Sequence, residues 1–124
     1  MKILIVEDEE LKRITLEDDL KDARYQTAAS ASPVSALRAL SQESFDVAIT
    51  DLRMPEIDGL EFMARAKELR PHMEIILITA YGTVDTAMKA LSLGAYDYVT
   101  KPFSTEELLP ALNRIRVEGE DWPL

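Results

Sequence analysis

Three acidic residues stand directly after apolar runs of this sequence. Glu7 and Asp8 follow the first such run, and Asp51 follows a run near the middle of the chain. If the runs are strands of one sheet, the three carboxylates meet at its edge, where each would raise the pKa of the others unless a cation neutralised them. Mg²⁺ suits such a site because it prefers oxygen ligands and is commonly held by one or two carboxylates together with phosphate. The spacing therefore predicts a magnesium site.

Asp51 can also act as a nucleophile at this site. A carboxylate that attacks phosphorus forms an aspartyl phosphate, and this transfer depends mainly on positioning and on neutralising the phosphoryl oxygens. Thr79 and Lys101 each end a further apolar run and would add a hydroxyl and an ammonium to the same edge. Each residue alone has an ordinary explanation, such as an acid that complements a helix dipole or a threonine that merely packs in a strand. The combination predicts phosphoryl chemistry.

The apolar runs have the length and composition of buried strands. A weak one lies near Tyr25 to Ala29. Short length and many β-branched residues are shared by the four stronger ones, which are Ile3 to Val6, Val47 to Thr50, Ile75 to Thr79 and Tyr96 to Thr100. We therefore expect five strands.

Segments with helical spacing lie between the predicted strands. Their apolar residues recur every three or four positions, as in Val34, Leu37 and Leu40, in Leu60, Met63 and Ala66, and in Val84, Ala87, Met88 and Leu91. Ser32 followed by Pro33 marks the start of one helix, and Gly94 can close another with a left-handed backbone. We expect Met63 and Met88 to fill gaps in the core.

Strand and helix thus alternate along the whole chain. Parallel strands joined by right-handed helical crossovers form an open sheet with helices on both faces. The predicted fold class is α/β, a doubly wound five-stranded parallel sheet. Open sheets of this kind bind ligands at the carboxyl ends of their strands, which is where the candidate site residues stand.

The composition is that of an ordinary water-soluble domain. The chain has 124 residues, of which 47% are apolar and 30% charged, and this is enough for one hydrophobic core. Its 14 Lys and Arg against 23 Asp and Glu give a net charge of -9, so we expect no direct binding of nucleic acid. Apolar runs fall far short of the about 20 residues of a membrane helix, and there is no cysteine. We expect a cytoplasmic protein that does not enter the membrane.

Most of the sequence resembles the receiver domain of two-component response regulators. The resemblance rests on the acidic pair Glu7 and Asp8 and on Asp51, Thr79 and Lys101, each at the spacing of that family. It implies the flavodoxin-like strand order 2-1-3-4-5. It also implies a switch that takes a phosphoryl group from a partner histidine kinase and changes conformation.

The resemblance implies a role for each site residue. Asp51 would be the phosphoacceptor, and the Mg²⁺ ligands would be Glu7, Asp8, Asp51 and the backbone carbonyl of Arg53. Lys101 would be the lysine that meets the phosphoryl group.

Two further residues would form the switch. Thr79 would bind the phosphoryl group through its hydroxyl, and Tyr98 would be the switch aromatic. Because a phosphoryl group adds about two negative charges and several acceptors, it can draw the Thr79 hydroxyl towards it. We expect the space left behind to admit the Tyr98 ring, which would pass from an exposed to a buried position.

Among receivers, residues 78–82 and 94–98 resemble those of the nitrogen-regulation type, the sigma-54-dependent transcriptional activators. Such proteins carry an ATPase domain and a DNA-binding domain. We therefore expect these output domains in a longer parent chain or in a separate partner. We also expect a phosphorylation-dependent homodimer, formed through the fourth helix, the fifth strand and the last helix.

Two other interpretations stay open at the level of sequence. A Mg²⁺-dependent phosphohydrolase would use the aspartyl phosphate as a turnover intermediate. It would need a second acid or base beside Asp51, and the one histidine, His72, stands next to Pro71 in a predicted loop. A degenerate receiver would serve only as a binding module, and this interpretation would be favoured if Asp51, Lys101 or one of the acidic pair were missing.

The end of the chain is predicted to leave the domain. We assign residues 1–117 to the receiver domain and 118–124 to a tail or the start of a linker, because Val117 to Leu124 lacks helical periodicity. Pro110 removes a backbone donor inside the last predicted helix, which indicates a kink or a late helix start.

Overall fold

Strands and helices alternate throughout the structure, a computed structural model that describes residues 1–52, 56–80, 84–101 and 103–120, apart from the side chains of residues 80, 84, 86, 87, 119 and 120. The strands in these ranges are β1 (Lys2–Val6), β2 (Gln26–Ser30), β3 (Val47–Asp51), β4 (Glu74–Ala80) and β5 (Asp97–Lys101). The helices are α1 (Glu10–Asp22), α2 (Pro33–Gln42), α3 (Gly59–Leu69), α4 (Val84–Ser92) and α5 (Thr105–Glu120). None of these helices combines the length and the hydropathy needed to cross a membrane.

The five strands form one parallel sheet in the order β2-β1-β3-β4-β5. The predicted fold class and strand order are confirmed, and so is the weak strand, which is β2. The order reverses direction between β1 and β3, which places the ligand crevice at the carboxyl ends of these two central strands.

Two apolar clusters cover the two faces of the sheet. Ile3 and Ile5 of β1 lie in the cluster formed with α1 and α5, whereas Leu4 and Val6 lie in the cluster formed with α2, α3 and α4. All four are at most 1% exposed. Burying one such side chain contributes about 1.5–3 kcal/mol. Because β1 is buried on both faces, its apolar side chains stabilise the strand that leads to the carboxyl edge of the sheet.

The predicted helix ends are present. The Ser32 side chain accepts a hydrogen bond of 3.1 Å from the backbone N–H of Ser35, and Pro33 is the first residue of α2. Gly94, just beyond α4, has a φ of 113°. Its N–H donates to the Leu91 carbonyl at 3.2 Å, which satisfies one of the last acceptors of the helix.

The packing of α4 differs from the prediction. Met63 of α3 is 1% exposed, as expected, but Met88 of α4 is 62% exposed, so the expectation that it fills the core was wrong. Leu91 and Leu93 are also 40% and 55% exposed. Ala90 of α4 is buried in the core cluster, so the sheet and its neighbouring helices cover only part of the apolar stripe of the helix.

The last helix also differs from the prediction. α5 begins at Thr105 and contains Pro110, so a late start is excluded. It continues to Glu120, so the expectation of non-helical chain from Val117 was wrong for residues 117–120. Contacts that periodicity cannot reveal support this extension: the Tyr96 hydroxyl donates to Glu118 Oε1 at 3.1 Å. The domain boundary at residue 117 stays a prediction.

Candidate functional site

Polar side chains replace the apolar rows at the carboxyl edge of the sheet. Ile5 pairs with Ile49 in the register of β1 and β3, and both belong to the cluster under α1 and α5. Two residues further along these strands stand Glu7 and Asp51. Since side chains alternate between faces, both continue the rows of that same face, and they are 9% and 8% exposed.

Lys101, at the end of β5, lies between these two carboxylates. Its Nζ is 2.5 Å from Asp51 Oδ2 and 4.0 Å from Glu7 Oε1. Burial is the largest single influence and opposes the charged ammonium, but the hydrogen bond and charge of Asp51, then the charges of Glu7 and Asp8, outweigh it and raise the pKa of Lys101. The ammonium therefore stays protonated at neutral pH.

Glu7 has a carboxylate oxygen that the rest of the site does not satisfy. Among the residues described, Glu7 Oε2 is buried and has no hydrogen-bond partner. Burial, and then the charges of Asp51 and Asp8, raise the pKa of Glu7, while Lys101 opposes this rise. One ammonium thus does not balance the site, and a second cation would fit beside the unpartnered oxygen.

Thr79 and Tyr98 lie together on the opposite face of the sheet. Thr79 pairs with Thr100 in the register of β4 and β5, and Leu77 pairs with Tyr98. Thr79 and Tyr98 are therefore diagonal neighbours, a relation in which side chains typically lie about 7–8 Å apart. Thr79 is 3% exposed, and Tyr98 is half-buried against the cluster under α2, α3 and α4. The expectation that the Tyr98 ring begins exposed was therefore wrong.

The sequence of the whole domain matches one family model. The match is to the response regulator receiver domain and covers residues 3–113. The chain belongs to this family. Receiver domains are phosphorylation-activated switches of two-component systems, and many of them control transcription. This chain is such a signalling domain and not a classical enzyme.

Individual relatives refine the comparison. The response regulator protein FleR of Pseudomonas aeruginosa is 37% identical over 99% of this chain, which spans 27% of FleR. Sporulation initiation phosphotransferase F of Bacillus subtilis is 34% identical, and the match covers 91% of both chains. The solution structure of the beryllofluoride-activated NtrC4 receiver domain dimer superposes with a TM-score of 0.88 at 34% identity, covering 94% of this chain and 97% of that one. The predicted resemblance to nitrogen-regulation receivers is confirmed.

Receiver domains generally bind Mg²⁺ at the phosphorylation site, and the donors of this receiver fit that ion. In the described residues, no three Asp, Glu, His or Cys side chains converge as a preformed metal cage. Mg²⁺ does not need one, because it keeps several waters and takes only one or two carboxylates. Glu7 and Asp51 supply buried carboxylates, and Asp8 is exposed beside them. Arg53, the predicted carbonyl ligand, lies outside the described residues.

Sequence reasoning missed a glycine that lies against the carboxyl edge of the sheet. A Cβ on Gly59 would lie 2.6 Å from Leu52 Cα and 2.9 Å from the Asp51 carbonyl oxygen. The N–H of Gly59 also donates to the Leu52 carbonyl at 2.8 Å. Gly59 is the first residue of α3, and Asp58 caps this helix by accepting a hydrogen bond from the Glu61 N–H at 2.8 Å. The pair Asp58 and Gly59 before an apolar helix was the available signal, but the close approach to β3 is visible only in the fold.

A cavity of about 640 Å³ opens beside the site of the receiver, between α1 and the segment that leads into α5. Glu7, Asp51 and Lys101 line it together with the apolar side chains of Leu11 and Phe103. The carboxylates of Glu7 and Asp51 therefore border this cavity.

Proposed function

We propose that Asp51 is the phosphoacceptor of this receiver and that a phosphohistidine of a sensor histidine kinase is the donor. The observation that carries the proposal is the contact of 2.5 Å between the buried Asp51 carboxylate and the Lys101 ammonium. An oxygen of Asp51 forms a bond to phosphorus while the P–N bond to the donor histidine breaks, and the bonding electron pair leaves with the imidazole. Placement of the acceptor at the strand edge orients this in-line displacement.

The other residues neutralise charge and hold the ion. The Lys101 ammonium is positioned to pair with a phosphoryl oxygen, because it already contacts the Asp51 carboxylate that would carry the phosphoryl group. We propose Glu7, Asp8, Asp51 and the carbonyl of Arg53 as the Mg²⁺ ligands. When bound, Mg²⁺ would offset the negative charge that the donor phosphate brings to three carboxylates.

The direct test is incubation with acetyl phosphate and Mg²⁺ followed by intact-protein mass spectrometry. The proposal requires a gain of one phosphoryl group, lost on treatment with hydroxylamine. A degenerate receiver that only binds partners would gain none. A phosphohydrolase would release inorganic phosphate as fast as it is phosphorylated, whereas a switch retains the phosphoryl group after acetyl phosphate is removed.

We also propose that Thr79 transmits phosphorylation to Tyr98. In support, the two side chains are diagonal neighbours on one face of the sheet, and a half-buried ring can still move inwards. Thr79→Ala should accept a phosphoryl group on Asp51 because Lys101 remains, yet lose most of the phosphorylation-linked NMR shift at Tyr98.

Thr100→Ala is the matched control for this coupling, since Thr100 pairs with Thr79 but is exposed. It should keep the full Tyr98 shift. Tyr98 shifts of wild-type size in phosphorylated Thr79→Ala would contradict the coupling and leave Asp51 as acceptor untouched.

Apolar side chains left exposed on α4 and directly after it form an apolar patch, which supports a phosphorylation-dependent homodimer. Met88, Leu91 and Leu93 are 40% to 62% exposed, and the similar NtrC4 receiver is a dimer when activated by beryllofluoride. We expect beryllofluoride with Mg²⁺ to promote dimerisation in sedimentation experiments. Because a buried Met contributes about 1.5–3 kcal/mol, Met88→Ser should weaken the dimer about tenfold or more.

Leu69→Ser is the control for the dimer, because Leu69 is 42% exposed on α3, outside the patch. Equal association of the wild type with and without beryllofluoride would count against the dimer, and so would equal weakening by both variants.

We propose that the domain controls transcription in the cytoplasm through an output that it regulates. FleR is much longer than this chain, which supports an attached ATPase and DNA-binding region, while sporulation initiation phosphotransferase F is of nearly the same length, which supports a separate partner. The net charge of -9 argues that DNA contacts belong to the output and not to this domain.

A further inference from the structure

Arg13 connects α1 to the loop that carries the acidic pair. It lies in the first turn and a half of α1, and its side chain turns back towards the end of β1. Its Nη1 donates to the backbone carbonyl of Glu7 at 3.0 Å. The Arg13 side chain is half-buried, so this hydrogen bond is partly shielded from competing water. The contact ties a rigid helix to the residue that follows β1.

The loop has little other support from the helix end. Glu9 occupies the N-cap position of α1, and no side chain makes a capping hydrogen bond there. Residues 7–10 are four acids in succession, whose charges repel one another. Lys12 pairs with Glu9 at 3.2 Å, but both side chains are more than half exposed, so this ion pair contributes little. Arg13 supplies a half-buried donor and cation to this loop.

Two hydrogen bonds hold the two peptide units on either side of Glu7. The Glu7 N–H donates to the Ser30 carbonyl at 3.1 Å, which fixes the peptide before Glu7. Arg13 holds the carbonyl of the peptide after it. Because peptide units are planar, holding both of them restricts φ and ψ of Glu7 and so the direction of its side chain. The second peptide also leads directly into Asp8.

We infer that Arg13 is a positioning residue of the phosphoryl site, which holds Glu7 and Asp8 in the orientation needed to bind Mg²⁺. The inference rests on the proposed function of these two residues. Arg13 touches neither the phosphoryl group nor the ion in this role. It acts as the outer partners of metal ligands do, whose removal typically lowers metal affinity about 10- to 100-fold.

Mg²⁺ titration calorimetry tests this role on the intact chain. Arg13→Met removes the donor and the charge and should weaken Mg²⁺ binding about tenfold. Arg13→Lys keeps the charge on a flexible point donor and should restore part of the affinity. Lys21→Met is the matched control, because it removes one positive charge from the other end of α1, where Lys21 is 3.9 Å from Glu17, and it should leave Mg²⁺ affinity unchanged.

Amide hydrogen exchange without Mg²⁺ gives a second measurement, which does not depend on activity. The Asp8 amide belongs to the peptide that Arg13 holds, so its exchange should become faster in Arg13→Met than in Lys21→Met. Equal Mg²⁺ affinity in Arg13→Met and Lys21→Met would overturn the inference, as would a uniform rise in exchange across the whole sheet. Failure of the wild type to bind Mg²⁺ would instead refute the proposed function, so the two failures are distinguishable.

Discussion

Asp51→Asn should abolish phosphorylation by acetyl phosphate, while the wild type gains one phosphoryl group. The change is nearly isosteric, so the amide oxygen can still accept the hydrogen bond that Lys101 donates to Asp51 Oδ2 at 2.5 Å. The fold should therefore persist. An amide lacks the anionic oxygen that attacks phosphorus, so the acyl phosphate cannot form. Intact-protein mass spectrometry with and without hydroxylamine measures the difference.

The matched control for this prediction is Asp22→Asn at the exposed end of α1. It makes the same chemical change away from the sheet edge and should be phosphorylated like the wild type. Hydroxylamine-sensitive phosphate at full stoichiometry in Asp51→Asn would show that another carboxylate is the acceptor. Urea unfolding of both variants shows whether a loss of phosphorylation is chemical or comes from a lost fold.

The strands and the site edge were predictable because one physical rule governs both. A central parallel strand is buried on two faces, so it appears in the sequence as a short run of β-branched residues, as in Ile3 to Val6. The first polar residue after such a run must lie at the carboxyl edge. Glu7, Asp51 and Lys101 are placed in this way, and the structure brings these three side chains together.

The supporting residues of the site were not predictable in the same way. Arg13 has the spacing of an ordinary polar residue of a helix, and nothing local indicates that its guanidinium reaches the Glu7 carbonyl just after β1. Gly59 is needed because α3 passes close to Leu52, a contact that depends on the path of the whole crossover. Both residues act through tertiary contacts, which sequence periodicity does not record.

The errors at Met88 and at the end of α5 have a related cause. An apolar helical stripe shows that a helix has an apolar face, but not how much of the sheet is available to cover it. On α4 the cover is incomplete, and Met88 remains 62% exposed. Conversely, residues 117–120 lack helical periodicity but form helix where Glu118 is bonded to Tyr96. Tertiary context decided both cases.

Glu7→Gln should change stability in opposite directions with and without Mg²⁺. In the metal-free receiver the buried Glu7 carries a charge and an unpartnered oxygen, which costs about 1–3 kcal/mol. The neutral amide should therefore raise the free energy of unfolding at pH 7 by about 1 kcal/mol. At Mg²⁺ about 100 times above its Kd the wild type gains about 2.7 kcal/mol, whereas a variant that binds about 100-fold more weakly gains only about 0.4 kcal/mol.

The pH dependence gives this prediction a second part. Burial raises the pKa of Glu7 above its ordinary value of 4.5, so the folded metal-free protein holds this proton more tightly than the unfolded chain does. The stability that Glu7 contributes is therefore fully present below the unfolded pKa and is lost as the pH rises through the folded pKa. The advantage of Glu7→Gln should therefore be smaller at pH 4 than at pH 7.

Urea unfolding at pH 4 and pH 7, with and without Mg²⁺, measures all of these differences. Glu9→Gln is the control, because Glu9 belongs to the same acidic run but is exposed and paired with Lys12. It should change neither the metal-free stability nor the gain from Mg²⁺ by much. If Glu7→Gln were less stable than the wild type without Mg²⁺ at pH 7, the burial cost assigned to the Glu7 carboxylate would be absent. If it gained as much from Mg²⁺ as the wild type does, Glu7 would not be a ligand of the ion.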